Sequence, residues 1–403
     1  MSRLEELIQQ LCPDGVEYKE LGEIATISRG GNFQKKDFVD DGFPCIHYGQ
    51  IYTKYNLFVD CTISYISPET AEKQKKAVCG DIIMAVTSEN IEDVCKCIAW
   101  LGNKDVAISG HTAIIHHTIN PKYLVYYLNS SLFFKQKLKM VQGTKVMEVS
   151  PEKLKKVKLP VPPLPVQQEI VRILDSFTEL TAELTAELTA RKKQYEYYRD
   201  ELLTQCNASK VELRQVVKKS CSGATPAKGH SEYYENGTIP WLRTQDVRFN
   251  EIYEIDSYIT EEAVKKTAAK WIPENCVIVA ISGASAGRCA INKIKTTTNQ
   301  HCLNMEIDGS KALYKYVYYC VASQYQELLS KKQGARGDLN SSLILGLQIP
   351  LPPLKEQRRI VSILDRFDTL CNDLTSGLPA EIEARKKQYE YYRDKLLSFS
   401  EKR

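Results

Sequence analysis

The sequence has no long apolar run, and this absence sets the first limits on the protein. None of its 403 residues lies in a stretch approaching the ~18 apolar residues that a membrane-spanning helix needs. The N-terminal residues Met1–Gly15 mix charges with leucines and lack the basic-then-apolar pattern of a signal peptide. We therefore expect a cytoplasmic protein that does not associate with a membrane.

Motifs that mark catalysis are missing as well. The methyltransferase tetrads Asn-Pro-Pro-Tyr and Asp-Pro-Pro-Tyr do not occur, and the nearest match, Asn120–Tyr123, has Lys122 where the second proline would stand. The chain has no Walker A loop. Asp14, Glu17 and Lys19 superficially resemble a nuclease site, but carboxylates so close in sequence are not expected to come from separate strands. The sequence predicts a non-catalytic chain that binds no cofactor itself.

Spacings typical of metal ligands are also absent. The 13 cysteines are scattered, and the only close pair, Cys95 and Cys97, is too tight for a Cys-x2-Cys zinc site. His116 and His117 are adjacent, so in a strand they point to opposite faces. We expect reduced, mostly buried cysteines, histidines with surface or packing roles, and no metal site. The net charge of +4 is too small to establish nucleic-acid binding by itself.

What the sequence does contain is an internal repeat. Leu159–Leu180 aligns without a gap with Ile349–Leu370 at an offset of 190 residues, and Arg191–Leu203 recurs as Arg385–Leu397 at an offset of 194. The second pair shares the phrase RKKQYEYYRD and differs at one position. Weaker matches precede both blocks in the same order. The chain therefore reads as variable domain, repeated helix, variable domain, repeated helix, with a pseudo-twofold organisation.

The variable halves have the pattern of mixed α/β domains. Short β-branched segments bounded by Gly, Asn or Pro, such as Ile82–Val86 and Val277–Ile281, predict strands. Aromatic residues on one face predict a helix near Tyr123–Met140 and its counterpart near Tyr314–Lys332. We expect Trp241 to be a core anchor rather than a stacking platform. Each half is expected to be a globule of about 150 residues.

The repeated segments predict long helices. No Pro or Gly occurs between Val166 and Gly223, and apolar residues recur at spacings of three, four or seven. This pattern predicts one amphipathic helix of ~40 residues, ~60 Å long. Its apolar stripe needs a partner, and the second repeat is the obvious one. That repeat contains Gly377 and Pro379, which predict a kink or break.

These motifs resemble one family. Two variable domains alternating with PPL…Q…IV.ILD.F and RKKQYEYYRD.LL helices are similar to the specificity (DNA-recognition) subunit of type I restriction–modification systems. Repeated Thr-Ala-Glu-Leu units at Thr178–Ala190 favour the members that carry such repeats in the central helix. The resemblance implies two α/β target-recognition domains joined by two long antiparallel helices that form a coiled-coil spacer. We assign the recognition domains to residues 1–158 and 209–348 and the spacer helices to residues 159–208 and 349–403.

The resemblance also implies function and partners. Each recognition domain would read one half of a bipartite, asymmetric target in double-stranded DNA, with an unread spacer between the halves. Two modification subunits would use S-adenosylmethionine to methylate adenine, and two motor-nuclease subunits would use ATP and Mg²⁺ to restrict unmodified DNA. Two other readings stay open: a self-contained restriction–modification enzyme, against which the missing motifs argue, and a coiled-coil scaffold unrelated to DNA.

Glycine-containing loops with fixed hydrogen-bond donors are the best candidates for DNA contacts, because base readout needs side chains placed in a groove. The corresponding loops of the second domain also contain glycines and side chains with hydrogen-bond donors. The candidates are Arg29, Asn32, Gln34, Lys35, Lys36, His47, Tyr48, Gln50 and Lys145 in the first domain, and Thr225, Lys228, Arg243, Gln245, Arg248, Asn299, Gln300 and Arg336 in the second.

The helices offer candidates for spacing and docking. One Thr-Ala-Glu-Leu unit adds ~6 Å and a net rotation of ~40° to a helix, whereas one DNA base pair adds 3.4 Å and ~35°. The number of units is therefore predicted to set the gap between half-sites. The tyrosines occur in both repeats, so they cannot read different half-sites. We assign them to helix pairing or to docking of the modification subunits, and core packing alone remains an alternative. The residues concerned are Leu180, Leu184, Leu188, Tyr195, Tyr198, Tyr389 and Tyr392.

Overall fold

The computed structural model describes residues 2–205, 208–332, 338–373 and 375–402. By their contacts they form two compact units: Met1–Thr185 with Ile382–Arg403, and Ala186–Glu381. Each unit therefore combines one variable half with the beginning of one helical repeat and the end of the other. The division of the chain into recognition domains (residues 1–158 and 209–348) and spacer helices (residues 159–208 and 349–403), drawn from the sequence, remains a prediction.

The first unit alternates short helices and strands before the long central helix. In chain order its elements are α1 (Arg3–Leu11), β1 (Tyr18–Glu20), α2 (Leu21–Ile24), β2 (Ala25–Arg29), β3 (Phe38–Val39), β4 (Phe43–Ile46), α3 (Tyr48–Thr53), β5 (Phe58–Val59), β6 (Tyr65–Ile66), α4 (Pro68–Glu72), β7 (Lys76–Ala77), β8 (Ile82–Ala85), β9 (Thr87–Ser88), β10 (Cys97–Trp100), β11 (Val106–Ile108), β12 (Thr112–His117), α5 (Pro121–Leu128), α6 (Ser131–Lys137), β13 (Met147–Glu148), α7 (Pro151–Leu154), β14 (Lys158–Pro160) and α8 (Leu164–Thr204), whose last residues belong to the second unit.

The second unit repeats this plan. Its further elements are β15 (Lys210–Glu212), β16 (Val217–Ser222), β17 (Ile239–Leu242), β18 (Glu251–Ile252), β19 (Tyr258–Ile259), α9 (Glu261–Lys266), β20 (Trp271–Ile272), β21 (Val277–Ala280), β22 (Cys289–Asn292), β23 (Thr296–Thr298), β24 (Cys302–Ile307), α10 (Tyr314–Ser323), α11 (Tyr325–Ser330), α12 (Ser341–Leu345), β25 (Gln348–Pro350), α13 (Leu354–Asn372) and α14 (Leu378–Leu396), most of which belongs to the first unit.

The two units share the topology of the main sheet, and their second sheets differ by one edge strand. The first has a five-stranded sheet of order β2-β12-β8-β10-β5, and the second has β16-β24-β21-β22-β18. In each, the last strand pairs in parallel and the other pairings are antiparallel. A second sheet follows the order β3-β6-β4-β11-β7 in one unit and β19-β17-β23-β20 in the other. The sequence repeat therefore extends to the fold of the weakly matching halves, and the mixed α/β prediction is confirmed.

The central strands are buried on both faces. In β8, Ile82 packs into the core on the helical side of the sheet, whereas its neighbour Ile83 packs into the core facing the second sheet. Val277 and Ile278 divide in the same way in β21. Because successive side chains of a strand point to opposite faces, this all-apolar pattern places the main sheet between a helical layer and a second sheet.

Two predicted helices are wrong in extent. The segment predicted as a single helix near Tyr123–Met140 is two helices, α5 and α6, because the Ser130 hydroxyl accepts a hydrogen bond from Phe133 N at 3.3 Å and starts a new helix. Its counterpart near Tyr314–Lys332 is likewise divided into α10 and α11. At Ser130, side-chain capping of the new N-terminus competes with continuation of the helix.

The long helices carry the repeated motifs. α8 is continuous over 41 residues, as the absence of Pro and Gly between Val166 and Gly223 predicts, whereas the second repeat is divided between α13 and α14. Within the second unit, α8 runs antiparallel to α13: the ring of Tyr198 stacks on Phe367 at 5.8 Å, while Lys192, farther toward the N-terminus of α8, lies near Cys371, farther along α13. Leu203 of α8 and Leu364 of α13 share the same core.

Candidate nucleic-acid interface

Three loops of the first unit meet at one end of its sheets. Gly31 N, after β2, donates to Ile108 O at 2.7 Å, and Ser109 N donates to Ile46 O at the end of β4 at 3.1 Å. Tyr48 N then donates to Ser109 Oγ at 2.9 Å. These hydrogen bonds hold the three loops together. We call residues 29–36, 47–48 and 109–111 the first loop surface.

A glycine makes this close approach possible. A Cβ on Gly30 would collide with the carbonyl oxygen of Ser109. At the equivalent place after β16, a Cβ on Gly223 would collide with the carbonyl oxygen of Thr298. The glycines in the predicted DNA loops therefore serve packing between loops.

The predicted donors of the first loop surface are mostly exposed. Arg29 Nη2 forms an ion pair with Glu148 at 2.6 Å. This pair ties the surface to the turn that carries exposed Lys145, because Glu148 bridges back to Gln142. The remaining side chains face solvent: Asn32, Gln34, Lys35 and Lys36.

His47 and Gln50 are buried, each only 8% exposed. His47 Nδ1 accepts from Gly49 N at 3.2 Å and caps α3. Gln50 Oε1 accepts from His47 N at 2.9 Å, and its amide nitrogen donates to Ser64 at 2.6 Å. Burial, with smaller effects of Lys35 and His111, lowers the pKa of His47. The prediction that Gln50 contacts DNA does not fit this arrangement, because its amide is already used to hold the turn.

The second unit builds a corresponding surface from the same strand ends. Ala224 N donates to Thr298 O at 3.0 Å, and Asn299 N donates to Leu242 O at 2.9 Å. The Thr225 hydroxyl donates to the side chain of Gln300. We call residues 223–228, 243–248 and 299–301 the second loop surface.

The residues of the second loop surface that were predicted to contact DNA differ in their exposure to solvent. Thr225, Lys228, Gln245, Arg248 and Gln300 are exposed. Arg248 Nε donates to the backbone carbonyl of Gln245 at 2.6 Å.

Two further candidates of this surface are less accessible. Arg243 is half-buried; its guanidinium lies 5.9 Å from the Trp241 ring centroid, and its buried Nε has no hydrogen-bond partner among the described residues. Asn299 is only 8% exposed, and its Oδ1 accepts from His301 N at 3.1 Å. The DNA-contact prediction for Asn299 therefore does not fit, because its side chain supports the turn. Arg336 lies outside the described residues.

Trp241 is a core residue, as predicted. It is 8% exposed, and its indole N–H donates to Ala224 O at 3.1 Å. This contact fastens the loop after β16 to β17.

Sequence reasoning missed His111. It lies in the turn between β11 and β12, its ring centroid is 5.2 Å from that of Tyr48, and it is exposed. The repeat could have revealed it, because the offset of 190 residues aligns Ser109–Thr112 with Asn299–Cys302 and so places His111 opposite His301.

The repeated helix motif anchors each variable half. Gln167 Nε2 donates to Pro162 O at 2.7 Å, and Gln167 Oε1 accepts from Asn120 N at 2.9 Å. In the second unit, Gln357 makes the equivalent bonds to Pro352 O at 2.8 Å and Leu313 N at 2.9 Å. These bonds give a structural reason for the Pro-Pro…Gln spacing in both repeats.

The four tyrosines predicted for helix pairing or docking each lie against another aromatic ring of their own unit. In the first unit Tyr392 stacks on Phe177 at 5.7 Å, and Tyr389 lies 6.4 Å from Tyr126. In the second, Tyr198 and Tyr195 contact the ring of Phe367.

The leucines of the Thr-Ala-Glu-Leu repeat and two unpredicted tyrosines complete the helical candidates. Leu180, Leu184 and Leu188 are half-buried. The most exposed aromatic side chains of the helices are Tyr197 at 63% and Tyr391 at 62%, which sequence reasoning did not single out. Their offset of 194 places them at the same position of the RKKQYEYYRD repeat.

Across the described part of the chain, no group of three or more His, Cys, Asp or Glu side chains is placed to hold a metal ion. His116 does have a carboxylate partner, Asp81 at 2.7 Å, which its sequence neighbours did not reveal.

Nine of the twelve described cysteines are buried, as expected of apolar packing residues. Burial raises the pKa of Cys45 and of Cys95 to about 12. No helix among the described residues is both long and apolar enough to cross a membrane.

Comparison with known proteins agrees with this architecture. The family described as "Type I restriction modification DNA specificity domain" matches residues 13–191 and 207–384. The chain is 41% identical to the Escherichia coli type I restriction enzyme EcoR124I/EcoR124II specificity subunit over 69% of this chain and 70% of the relative. It is 34% identical to a putative type I restriction enzyme specificity subunit of Haemophilus influenzae over 96% of each.

Solved structures show the same fold. A chain from a study of assembly and conformational transition of the type I restriction–modification system matches with a TM-score of 0.68 at 19% identity, over 96% of this chain and 98% of that one. The type I restriction–modification system S subunit from M. genitalium matches with a TM-score of 0.53 at 13% identity, over 95% of this chain and 96% of that one. The predicted fold class is confirmed.

Proposed function

Because this chain belongs to the family of type I restriction–modification DNA specificity subunits, we propose that it selects the DNA sequence on which such a complex acts. The observation that carries this proposal is the duplicated loop surface. Two units of one topology present glycine-containing loops at equivalent strand ends, and the exposed side chains of the two surfaces differ. Equivalent scaffolds with different exposed donors suit the reading of two different half-sites.

The chemistry of the loop surfaces supports DNA as the ligand. Lys35 and Lys36 are exposed and suited to phosphates, whereas Asn32 and Gln34 carry amides that match the donor and acceptor of adenine. In the second unit, exposed Gln245 and Arg248 supply an amide and a guanidinium. Phosphate contacts would set the position on the duplex, and the amides and arginines would select bases.

We assign catalysis and cofactors to partner subunits. Two modification subunits would bind S-adenosylmethionine and methylate adenine, and two motor-nuclease subunits would bind ATP and Mg²⁺. The complex would act in the cytoplasm, where it meets foreign DNA. The exposed Tyr197 and Tyr391 occur once in each repeat, so they suit two copies of one partner. Exposed aromatic side chains are frequent energetic centres of protein interfaces.

A domain exchange tests the proposal. Replacing residues 1–158 with the first domain of another family member should change one half-site of the methylated sequence and leave the other unchanged. Methylated adenines would be mapped across the genome of cells that express the exchanged chain with its partners. A change in both half-sites, or in neither, would contradict the assignment of one unit to one half-site.

The main competitor is an enzyme that acts without partners. Incubating the purified chain with DNA and labelled S-adenosylmethionine should give no methyl transfer, whereas adding the modification subunit should restore it. Transfer by the chain alone would refute the adaptor function. A scaffold unrelated to DNA would instead give a complex that protects no bipartite site in footprinting.

A further inference from the structure

Two histidines occupy the same place in the two units. His111 lies between β11 and β12, and His301 lies between β23 and β24, 190 residues later. The carbonyl oxygen of His111 accepts from Val86 N at 2.9 Å, and that of His301 accepts from Ile281 N at 2.8 Å. The two turns are therefore held by the same backbone hydrogen bond.

Both turns connect the two sheets of a unit at the loop surface. β11 belongs to the second sheet and β12 to the main sheet, and β23 and β24 have the same relationship. A side chain at this crossing lies next to the loops that leave the neighbouring strands. His111 is next to Tyr48, and His301 follows Gln300, whose amide nitrogen lies 3.3 Å from His301 Nε2.

The side chains of His111 and His301 contribute less to packing than the buried residues of the same turns. His111 is exposed and His301 is half-buried, whereas the following residues, Thr112 and Cys302, are buried. His111 adopts a left-handed backbone conformation, with φ of 63°, that few non-glycine residues adopt. A histidine at this place in both units, with only six in the chain, calls for a role at the surface.

We propose that His111 and His301 each contact a base edge in the half-site read by their own unit. This inference rests on the proposed function and adds one specificity-determining residue to each loop surface. A neutral imidazole offers one donor and one acceptor, which suits the N7 and exocyclic groups that purines present in the major groove. Exposed lysines are already available for phosphates in the first surface, so its histidine is better used on bases.

The experiment compares methylation specificity of the full complex carrying H111A, H301A or neither substitution. A library of duplexes with both half-sites randomised would be methylated in vitro and sequenced. H111A should reduce discrimination about tenfold or more at one or two positions of one half-site, in line with the contribution of a good base contact. H301A should do the same in the other half-site only.

A matched control separates base contact from general damage. H116A removes an exposed histidine from the far end of β12 and should leave both half-sites unchanged. A uniform loss of binding without relaxed specificity would mean a phosphate contact and overturn the inference, as would unchanged specificity in both variants. If the unsubstituted complex selected no sequence at all, the proposed function itself would fail, which distinguishes the two outcomes.

Discussion

The hydroxyl of Tyr126 donates a hydrogen bond to Oδ1 of Asp175 over 2.6 Å, joining α5 to α8. Lys122 Nζ contacts the other carboxylate oxygen at 2.6 Å. Tyr319 and Asp365 repeat the bond at 2.6 Å in the second unit. A carboxylate of each repeated helix therefore holds a buried tyrosine of the variable half, which keeps the loop surface in a fixed relationship to its helix.

Asp175→Ala should lower the free energy of unfolding by about 1–3 kcal/mol, because it leaves the buried Tyr126 hydroxyl and partly buried Lys122 without their acceptor. Asp365→Ala should cost less, since Lys315 retains Glu251 at 3.2 Å. Urea denaturation of the full chain measures both. The control is Glu183→Ala, at an exposed position on the same helix as Asp175, which should change the free energy of unfolding by no more than about 0.5 kcal/mol. A larger loss for Asp365→Ala than for Asp175→Ala would contradict the prediction.

Deleting Thr181–Leu184 should shorten the tolerated spacer by about one base pair and leave both half-sites unchanged. α8 is helical throughout this region, so the deletion removes ~6 Å and ~40° of helix. Methylation of targets with graded spacers measures the effect. The length-preserving double substitution Thr181→Ala with Glu183→Gln is the control and should keep the original spacer. An unchanged spacer after the deletion would make the repeat an ordinary stretch of helix.

The free energy of unfolding should fall as the pH drops below about 6.5, the ordinary pKa of histidine. Burial lowers the pKa of His47 and of His117, so between the lowered and the ordinary pKa the unfolded chain binds more protons than the folded chain. Protonation of His47 Nδ1 would also remove the acceptor that caps α3. The loss should level off below the lowered pKa values.

His47→Asn tests this pH dependence, because asparagine keeps a capping oxygen but does not titrate. Thermal unfolding between pH 5 and pH 7.5 should show a shallower slope for the variant than for the unsubstituted chain. His117→Asn should also reduce the slope, since both nitrogens of His117 are buried and this burial lowers its pKa. If both variants showed the same pH dependence of thermal unfolding as the unsubstituted chain, the pH dependence would not come from His47 and His117.

Regular patterns in the sequence predicted the long-range organisation, whereas local chemistry decided the rest. The absence of Pro and Gly after Val166 predicted α8, and the repeat predicted two units of one topology. Periodicity did not reveal the helix start at Ser130, because a single hydroxyl caps it. Nor did polarity distinguish exposed Gln34 from buried Gln50, since the partners of Gln50 are set by the tertiary fold.

Tyr197→Ala and Tyr391→Ala should each weaken binding of one modification subunit and leave the fold intact. Both side chains are more than 60% exposed, so little packing is lost, whereas aromatic interface centres typically contribute about 2 kcal/mol or more. Either single variant should retain one tightly bound partner, and the double variant should retain none at micromolar concentration. Native mass spectrometry of the reconstituted complex counts the bound subunits. Exposed Glu196→Ala and Glu390→Ala, one position before each tyrosine, are the matched controls and should keep both partners. Full occupancy in the double tyrosine variant would instead place the docking surface elsewhere on the repeated helices.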